Sequence, residues 1–318
     1  MADTKIKLSI RIPPEPSDDD LIFVQQLGVD CVYTWVPPKQ TDGESLRALR
    51  RRVESFGLTL CNVGCYELGK SDRIHLGLPG RDEMIAAFAD FLRALGEAGI
   101  DTTTFTFEPS NVWSTEAETT RGGAVTRAVD MAVLLQEGCS HGRKYAVDEI
   151  WDNFTYFMKA IIPVAEETGV RLALHPNDPP VPEIAGIPCL IHSFEDYERA
   201  FAIADSKQLG MEFCTGCWLE GGADFGDMFQ AIRRFADTGK IFIVHFRNVS
   251  GPLPHFAETF IDDGYQDMAE VMQAFVDSGF EGTMVLDHTP AMIDTAGPGA
   301  PTAYAIGFIK GLLAGVDR

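Results

Sequence analysis

Positive charge is scarce in this sequence. Lys and Arg number 26 against 47 Asp and Glu, a formal net charge of −21 over 318 residues. Such a balance excludes a nucleic-acid surface, which needs a basic patch to neutralise phosphates. The densest basic run, Arg47 to Arg52, sits beside Glu44 and Glu54 in a helical pattern and reads as a solvated helix face. No apolar run reaches the roughly 18 residues a membrane span needs, so no membrane contact is expected. The opening Met1-Ala2-Asp3-Thr4-Lys5 carries no apolar signal core. The seven cysteines are scattered and odd in number, which is no disulfide framework and suits a reducing cytoplasm. Repeats, low-complexity tracts and linkers are also missing. No glycine-rich phosphate loop follows the first strand-like run, where the chain reads Ile12-Pro13-Pro14-Glu15-Pro16. That weighs against a doubly wound nucleotide-binding sheet.

What is present is an ordinary globular composition, 45% hydrophobic and 23% charged. A short β-rich run, a turn and an amphipathic helical stretch recur along the chain. The strand-like runs are 6–11, 29–35, 58–65, 101–107, 170–175, 207–214, 241–247 and 283–287. The clearest helical stretches are 43–56, 82–98, 147–168 and 224–237, with apolar residues at three- and four-residue spacing. Gly57, Gly99, Gly169 and Gly239 stand at their stops. Alternating βα pairs predict a parallel sheet, and eight of them close a (β/α)8 TIM barrel. The chain is expected to form one such domain over 1–318, with a long loop insertion at about 108–146. A short helix is expected near 124–136 within that insertion.

Barrel chemistry collects at the C-terminal ends of the strands. The fifth to eighth strands end at His175, Cys214, His245 and Asp287. Each is a good ligand for a divalent transition ion, and adjacent strands lie about 4.8 Å apart, so the four can converge. Strand alternation puts Ala173 with His175, Gly210 and Glu212 with Cys214, and Ile243 and Arg247 with His245 on one face. A lone buried His is usually ordinary core; four such residues at matching ends of successive strands point to a metal. Cys214-Thr215-Gly216-Cys217 lacks the second C-x-x-C of a zinc ribbon, so Cys214 reads as a ligand and Cys217 as a helix-turn residue. His75, His141, His192 and His255 read as surface residues. Arg247 can pair with a substrate carboxylate or form an interior salt bridge with Glu212.

Residues 153–167 running into His175-Pro176-Asn177-Asp178-Pro179-Pro180 resemble mannonate dehydratase. So do Cys214-Thr215-Gly216, His245-Phe246-Arg247-Asn248-Val249, Asp267-Met268, Asp287-His288 and the close of the chain around Ala305-Ile306-Gly307. The resemblance covers about half of the chain. It implies a xylose-isomerase-like TIM barrel that removes water from D-mannonate to give 2-keto-3-deoxy-D-gluconate with Mn2+ or a related divalent ion. It carries metal ligation onto His175, Cys214, His245 and Asp287, and an acid/base role onto His288, with Asp287 beside it. It places Asp178, Trp113 and Tyr304, with Arg247, at the substrate.

The departures lie outside the ligand set. Thr34-Trp35-Val36-Pro37-Pro38 stands where the family has His-His, Thr106 where it has Asn, and Thr115 where it has Arg. Ile261, Gly264-Tyr265, Thr289 and Ala303 replace other family residues, with Tyr304 one place from an expected Tyr. Trp35, Phe107, Trp113 and Tyr265 are expected to make a more aromatic pocket. Two readings therefore stand beside the dehydratase: a metal-dependent isomerase, epimerase or other lyase acting on a different sugar acid or polyol, with Glu108 or Glu212 as base, and a non-catalytic sugar-acid-binding protein. A thiolate ligand also admits Fe2+, Co2+ or Zn2+. A homo-oligomer is the default for such barrels.

Overall fold

The computed structural model describes residues 5–109 and 113–316. Eight strands form one parallel sheet: β1 (Lys7–Arg11), β2 (Cys31–Trp35), β3 (Thr59–Gly64), β4 (Thr102–Thr106), β5 (Arg171–His175), β6 (Leu209–Cys214), β7 (Ile241–Phe246) and β8 (Thr283–Leu286). Hydrogen-bonded neighbours run β3-β2-β1-β8-β7-β6-β5-β4. The two end strands, β3 and β4, lie side by side, and Asn62 Nδ2 donates to Thr104 Oγ1 across them at 2.8 Å. The sheet is thus a nearly closed (β/α)8 barrel, in the predicted strand order.

A helix follows each strand: α1 (Asp18–Gln26), α2 (Gly43–Glu54), α3 (Arg81–Ala98), α4 (Val147–Thr168), α5 (Phe194–Ala204), α6 (Met228–Asp237), α7 (Met268–Asp277) and α8 (Ala300–Val316). Local chemistry sets their ends. Ser17 and Asp20 form a capping box at α1, and Asp42 accepts from Glu44 N and Ser45 N at α2. Gly99 and Gly169 close α3 and α4 at φ 69° and 73°, where only glycine is unstrained. α2 buries Leu46, Leu49 and Val53, while Arg47 and Arg50 face outward to Glu97 and Glu54, as the solvated-face reading predicts. α6 begins later than its pattern suggests, because Gly226 interrupts at φ 120° and the Asp227 carboxylate caps Gln230 N.

Two packing layers result. The outward side chains of the strands meet the helices in one continuous core. A separate small cluster of Tyr33, Ala173, Phe242, Ile243 and Val285, with Trp35 and Cys61 against it, lies apart from that core. Inward alternation thus carries Ala173 on to His175, Ile243 to His245 and Val285 to Asp287.

In the insertion after β4, short strands and turns stand where a helix over 124–136 is expected. Glu118–Thr120 and Ala124–Thr126 form a hairpin around Gly122 and Gly123, and Ala128–Asp130 pairs with His255–Ala257. Among the described residues of the insertion, α-helix is confined to Met131–Leu134, capped by Asp130. Glycines in the turn and an available partner strand override the helical pattern.

His75 is a second correction. It is 1% exposed, on a short helix (Asp72–His75), with its ring 4.2 Å from that of Phe107. Burial drives its pKa down to about 3, against the pull of a hydrogen bond to the Glu108 backbone. Between that value and about 6.5 the unfolded chain holds one more proton than the folded one, so stability falls as pH falls through this window. Denaturant unfolding at pH 6.5 and pH 5 should show a loss from this residue of about 1.5 kcal/mol. His75→Gln should remove that part of the slope; equal slopes in the two proteins would place His75 among ordinary histidines.

Candidate metal and catalytic site

Register brings the chemistry to one level. Cys214 on β6 pairs with His245 on β7, His245 with Val285 on β8, and Thr106 on β4 with His175 on β5. Donor atoms of His175, Cys214 and His245 all lie within 4.8 Å of one another. Asp287 completes the set, with Oδ1 3.4 Å from His245 Nδ1 and Oδ2 3.8 Å from Cys214 Sγ.

The surroundings fix which atom each residue offers. The Pro176 carbonyl lies 2.7 Å from His175 Nδ1 and takes its proton, leaving Nε2 free. The Glu212 carboxylate lies 2.8 Å from His245 Nε2, leaving Nδ1 free. That Nδ1 is buried and has no hydrogen-bond partner. Burial raises the Cys214 thiol, but a Cys217 hydrogen bond, the Arg247 charge and both histidines outweigh it and hold it well below its ordinary value. Metal–nitrogen bonds near 2.1 Å and metal–sulfur bonds near 2.3 Å put tetrahedral neighbours about 3.5 Å apart. A free ring nitrogen, a thiolate and a carboxylate at these spacings fit a divalent transition ion, with carbonyl and carboxylate partners behind both imidazoles.

Arg247 does not reach the substrate space. It is 0% exposed and lies behind the ligands. Nε donates to Asp287 Oδ2 at 2.9 Å; Nη1 donates to Glu220 at 2.6 Å and to Glu258 at 2.9 Å; Nη2 reaches Asp178 at 3.3 Å. Glu212 is not among its partners, so the interior salt bridge exists with different carboxylates. Arg127, from the insertion, joins the network through Asp178 at 2.7 Å and Glu258 at 3.1 Å. Asp178, Cys217 and Glu220 also cluster, but the two guanidinium groups already balance their charge and leave no place for an ion.

His288 stands at the mouth of the cavity, its side chain 47% exposed. Nδ1 lies 2.8 Å from Glu258 Oε1, and Nε2 3.6 Å from Asp287 Oδ1. The Asp287 charge first, then Glu258, raises its pKa to about 9 against burial, so the cation is favoured at neutral pH.

The cavity is about 230 Å³ and is lined at one end by His175, Asp178, Glu212, His245, Asp287 and His288. Arg11, Tyr33, Trp35, Tyr66, Lys70 and Thr106 line the rest. Asp178 is thus at the cavity, though both its oxygens are held by arginines. Trp113 borders a different hollow, beside Ser140 and His141. Tyr304 is 37% exposed on α8 and accepts from Arg121. Thr302 faces the cavity, and two residues further on a helix turn about 200° away from it. Phe107 points into the core against Phe154, and Tyr265 donates to the Leu219 carbonyl, so of the four expected aromatics only Trp35 lines the cavity. Arg11, Tyr33, Tyr66 and Lys70 gave no motif signal; all lie on or after β1 to β3, where only their position at strand ends could have marked them.

Three comparisons bear on the site. The family model described as D-mannonate dehydratase (UxuA) matches residues 129–318. A mannonate dehydratase of Enterococcus faecalis is 32% identical over 308 residues, covering 84% of each chain. Mannonate dehydratase 2 of Halalkalibacterium halodurans is 30% identical over 273 residues, covering 77% of this chain and 78% of its own. The crystal structure of mannonate dehydratase from Streptococcus suis superposes with a TM-score of 0.86 at 26% identity, over 98% of this chain and 95% of that one. A D-psicose 3-epimerase from Clostridium cellulolyticum shares the fold, with a TM-score of 0.63 at 15% identity.

Proposed function

Because the chain belongs to the mannonate dehydratase family of lyases, we propose that the cavity is the active site of a divalent-metal-dependent dehydratase converting D-mannonate to 2-keto-3-deoxy-D-gluconate. The observation that carries this reading is the convergence of His175, Cys214, His245 and Asp287, with His245 Nδ1 facing the Asp287 carboxylate at 3.4 Å, beside a half-exposed His288. A bound ion supplies Lewis acidity to the substrate's carboxylate and hydroxyl oxygens. Mn2+ is the ion proposed here; the thiolate donor also admits Fe2+, Co2+ or Zn2+.

The reaction removes the C2 proton and the C3 hydroxyl, and the resulting enol tautomerises to the 2-keto acid. His288, cationic in its present surroundings, delivers a proton to the leaving C3 hydroxyl, which departs as water, and the neutral imidazole so formed takes the C2 proton, which restores the cation. Glu258 holds its Nδ1, so Nε2 is the working atom. The free Oε2 of Glu212 can accept from a substrate hydroxyl. Arg11, which no hydrogen bond or ion pair engages among the described residues, and Lys70, 3.4 Å from Glu108, are the cations available to the carboxylate in place of Arg247. The insertion after β4 forms the rim of one barrel domain, tied to the site by Arg127.

No helix of the described residues is long and apolar enough to cross a membrane. Purified protein given Mn2+ and D-mannonate should form the 2-keto-3-deoxy acid, and a chelated sample should not. A metal-loaded protein that leaves D-mannonate untouched would move the site to another substrate. Cys214→Ala or His245→Ala should lower bound metal without unfolding the barrel; full occupancy in either variant would remove that residue from the ligand set.

A further inference from the structure

Cys217 has no part in the proposed chemistry, yet it is placed against a proposed ligand. Cys214 ends β6 and Cys217 follows one helical turn later, so the two side chains stand on one side of that turn. The Cys217 N–H donates to Cys214 Sγ at 3.5 Å, and the two thiols are hydrogen-bonded to each other. One atom, Arg247 Nη2, lies 3.5 Å from Cys214 Sγ and 3.8 Å from Cys217 Sγ. Gly216, between them, admits that guanidinium: a Cβ there would come within 2.3 Å of it. Both cysteines are free and fully buried, but Cys214 Sγ borders the place an ion would fill. Donor atoms of His175 and His245 lie within 4.8 Å of it and Asp287 Oδ2 at 3.8 Å, and these three residues line the cavity. A small molecule in the cavity therefore reaches this sulfur when no ion stands between.

We propose that Cys214 and Cys217 are a reversible oxidation site: in the metal-free protein a hydroperoxide closes them to a disulfide, and the closed form does not take up the ion. The Cys214 sulfur attacks one oxygen of the peroxide. The O–O bond breaks, and the leaving hydroxide becomes water with the proton that the thiol gives up, which leaves a sulfenic acid. The Cys217 sulfur then attacks the Cys214 sulfur. The S–S bond forms, the S–O bond breaks, and the second hydroxide leaves as water with the Cys217 proton. The two thiols together give up two electrons, and one hydrogen peroxide is reduced to two waters. A disulfide sulfur carries no thiolate charge, so the ion is left with two imidazoles and a carboxylate. A bound ion engages the same sulfur and protects it. A dithiol reductant reopens the pair by exchange. The loss of the ion rests on the ligand set of the dehydratase reading; the disulfide itself does not depend on the substrate.

The test adds hydrogen peroxide to the full chain, chelated in one sample and loaded with Zn2+ in the other. Thiol titration in denaturant, peptide mapping by mass spectrometry and metal analysis follow. The chelated sample should lose two of its seven thiols, with the bridge mapped to Cys214 and Cys217. It should then bind no Zn2+ until dithiothreitol restores both thiols. The loaded sample should keep Cys214 and Cys217 reduced. Cys217→Ser, when reduced, should take up Zn2+ as the wild type does; peroxide should then carry its Cys214 on to sulfinic acid, which dithiothreitol does not reverse. Cys31 and Cys61, on β2 and β3, form a second hydrogen-bonded thiol pair. A bridge mapped to them in place of Cys214–Cys217, or no bridge at all, would overturn the proposal. A Cys214–Cys217 bridge in protein that still binds Zn2+ fully would overturn it too, and would remove Cys214 from the ligand set. Turnover of D-mannonate by the reduced, metal-loaded enzyme tests the dehydratase separately and stands or falls apart from these results.

Discussion

His288→Asn should lower kcat by about 10²- to 10⁴-fold while bound metal and fold are retained. His288 Nε2 lies 3.6 Å from Asp287 Oδ1 and is not itself one of the proposed ligands. Its Nδ1 is held by Glu258, which two arginines hold in turn. The imidazole is therefore aimed by neighbours that survive the substitution, and asparagine keeps a hydrogen bond to Glu258 while losing the transferable proton. KM should change much less than kcat, because a proton transferred in the transition state contributes little to ground-state binding. Rapid kinetics with metal analysis on the same sample checks this. Wild-type kcat in the variant would take His288 out of the chemistry.

Arg247→Met should cost about 3–5 kcal/mol of stability, the usual result of stripping one partner from a buried ion pair. The guanidinium is fully buried among Asp178, Glu220, Glu258 and Asp287, and without it Asp178 and Glu220 would keep only Arg127, while His288 still pairs with Glu258 and Asp287. Glu220 illustrates the cost: both its oxygens are buried, Oε2 lacks any partner, and burial holds its pKa well above the ordinary carboxylate range. Adding Glu220→Leu to Arg247→Met should therefore recover part of the loss. Asp287 would also lose the donor that fixes Oδ2, so metal affinity should fall with stability. Urea unfolding of the single and double variants measures both terms. A change below about 1 kcal/mol for Arg247→Met would mean that the network is solvated and weak.

The barrel was legible because its signals are local. Period-two runs, helix stops at Gly99 and Gly169, and strand ends at His175, Cys214, His245 and Asp287 can all be read within a few residues. The same strand alternation that places Ala173 in the interior places His175 above it. What was hidden depends on long sequence separation. Arg127 reaches Asp178 and Glu258 across 51 and 131 residues, so nothing near it in sequence marks it as part of the site. Of the carboxylates that saturate Arg247, Asp178, Glu220 and Glu258 come from two loops and a short helix that no local pattern orients. His75 reads as a surface residue because it lies in a connecting segment, and the packing of Phe107 and α4 buries it. Tyr66 and Lys70 follow β3 in a short helical turn whose direction toward the cavity is a tertiary fact.

The central claim is that Cys214, with both histidines and Asp287, holds one divalent ion. Cobalt(II) titration with absorption spectroscopy tests it most directly, since a thiolate ligand gives a charge-transfer band that nitrogen and oxygen donors do not. One equivalent should saturate the band in the wild-type protein, and Cys214→Ser should lose it. Absence of the band in the wild type, or its persistence in Cys214→Ser, would contradict the account.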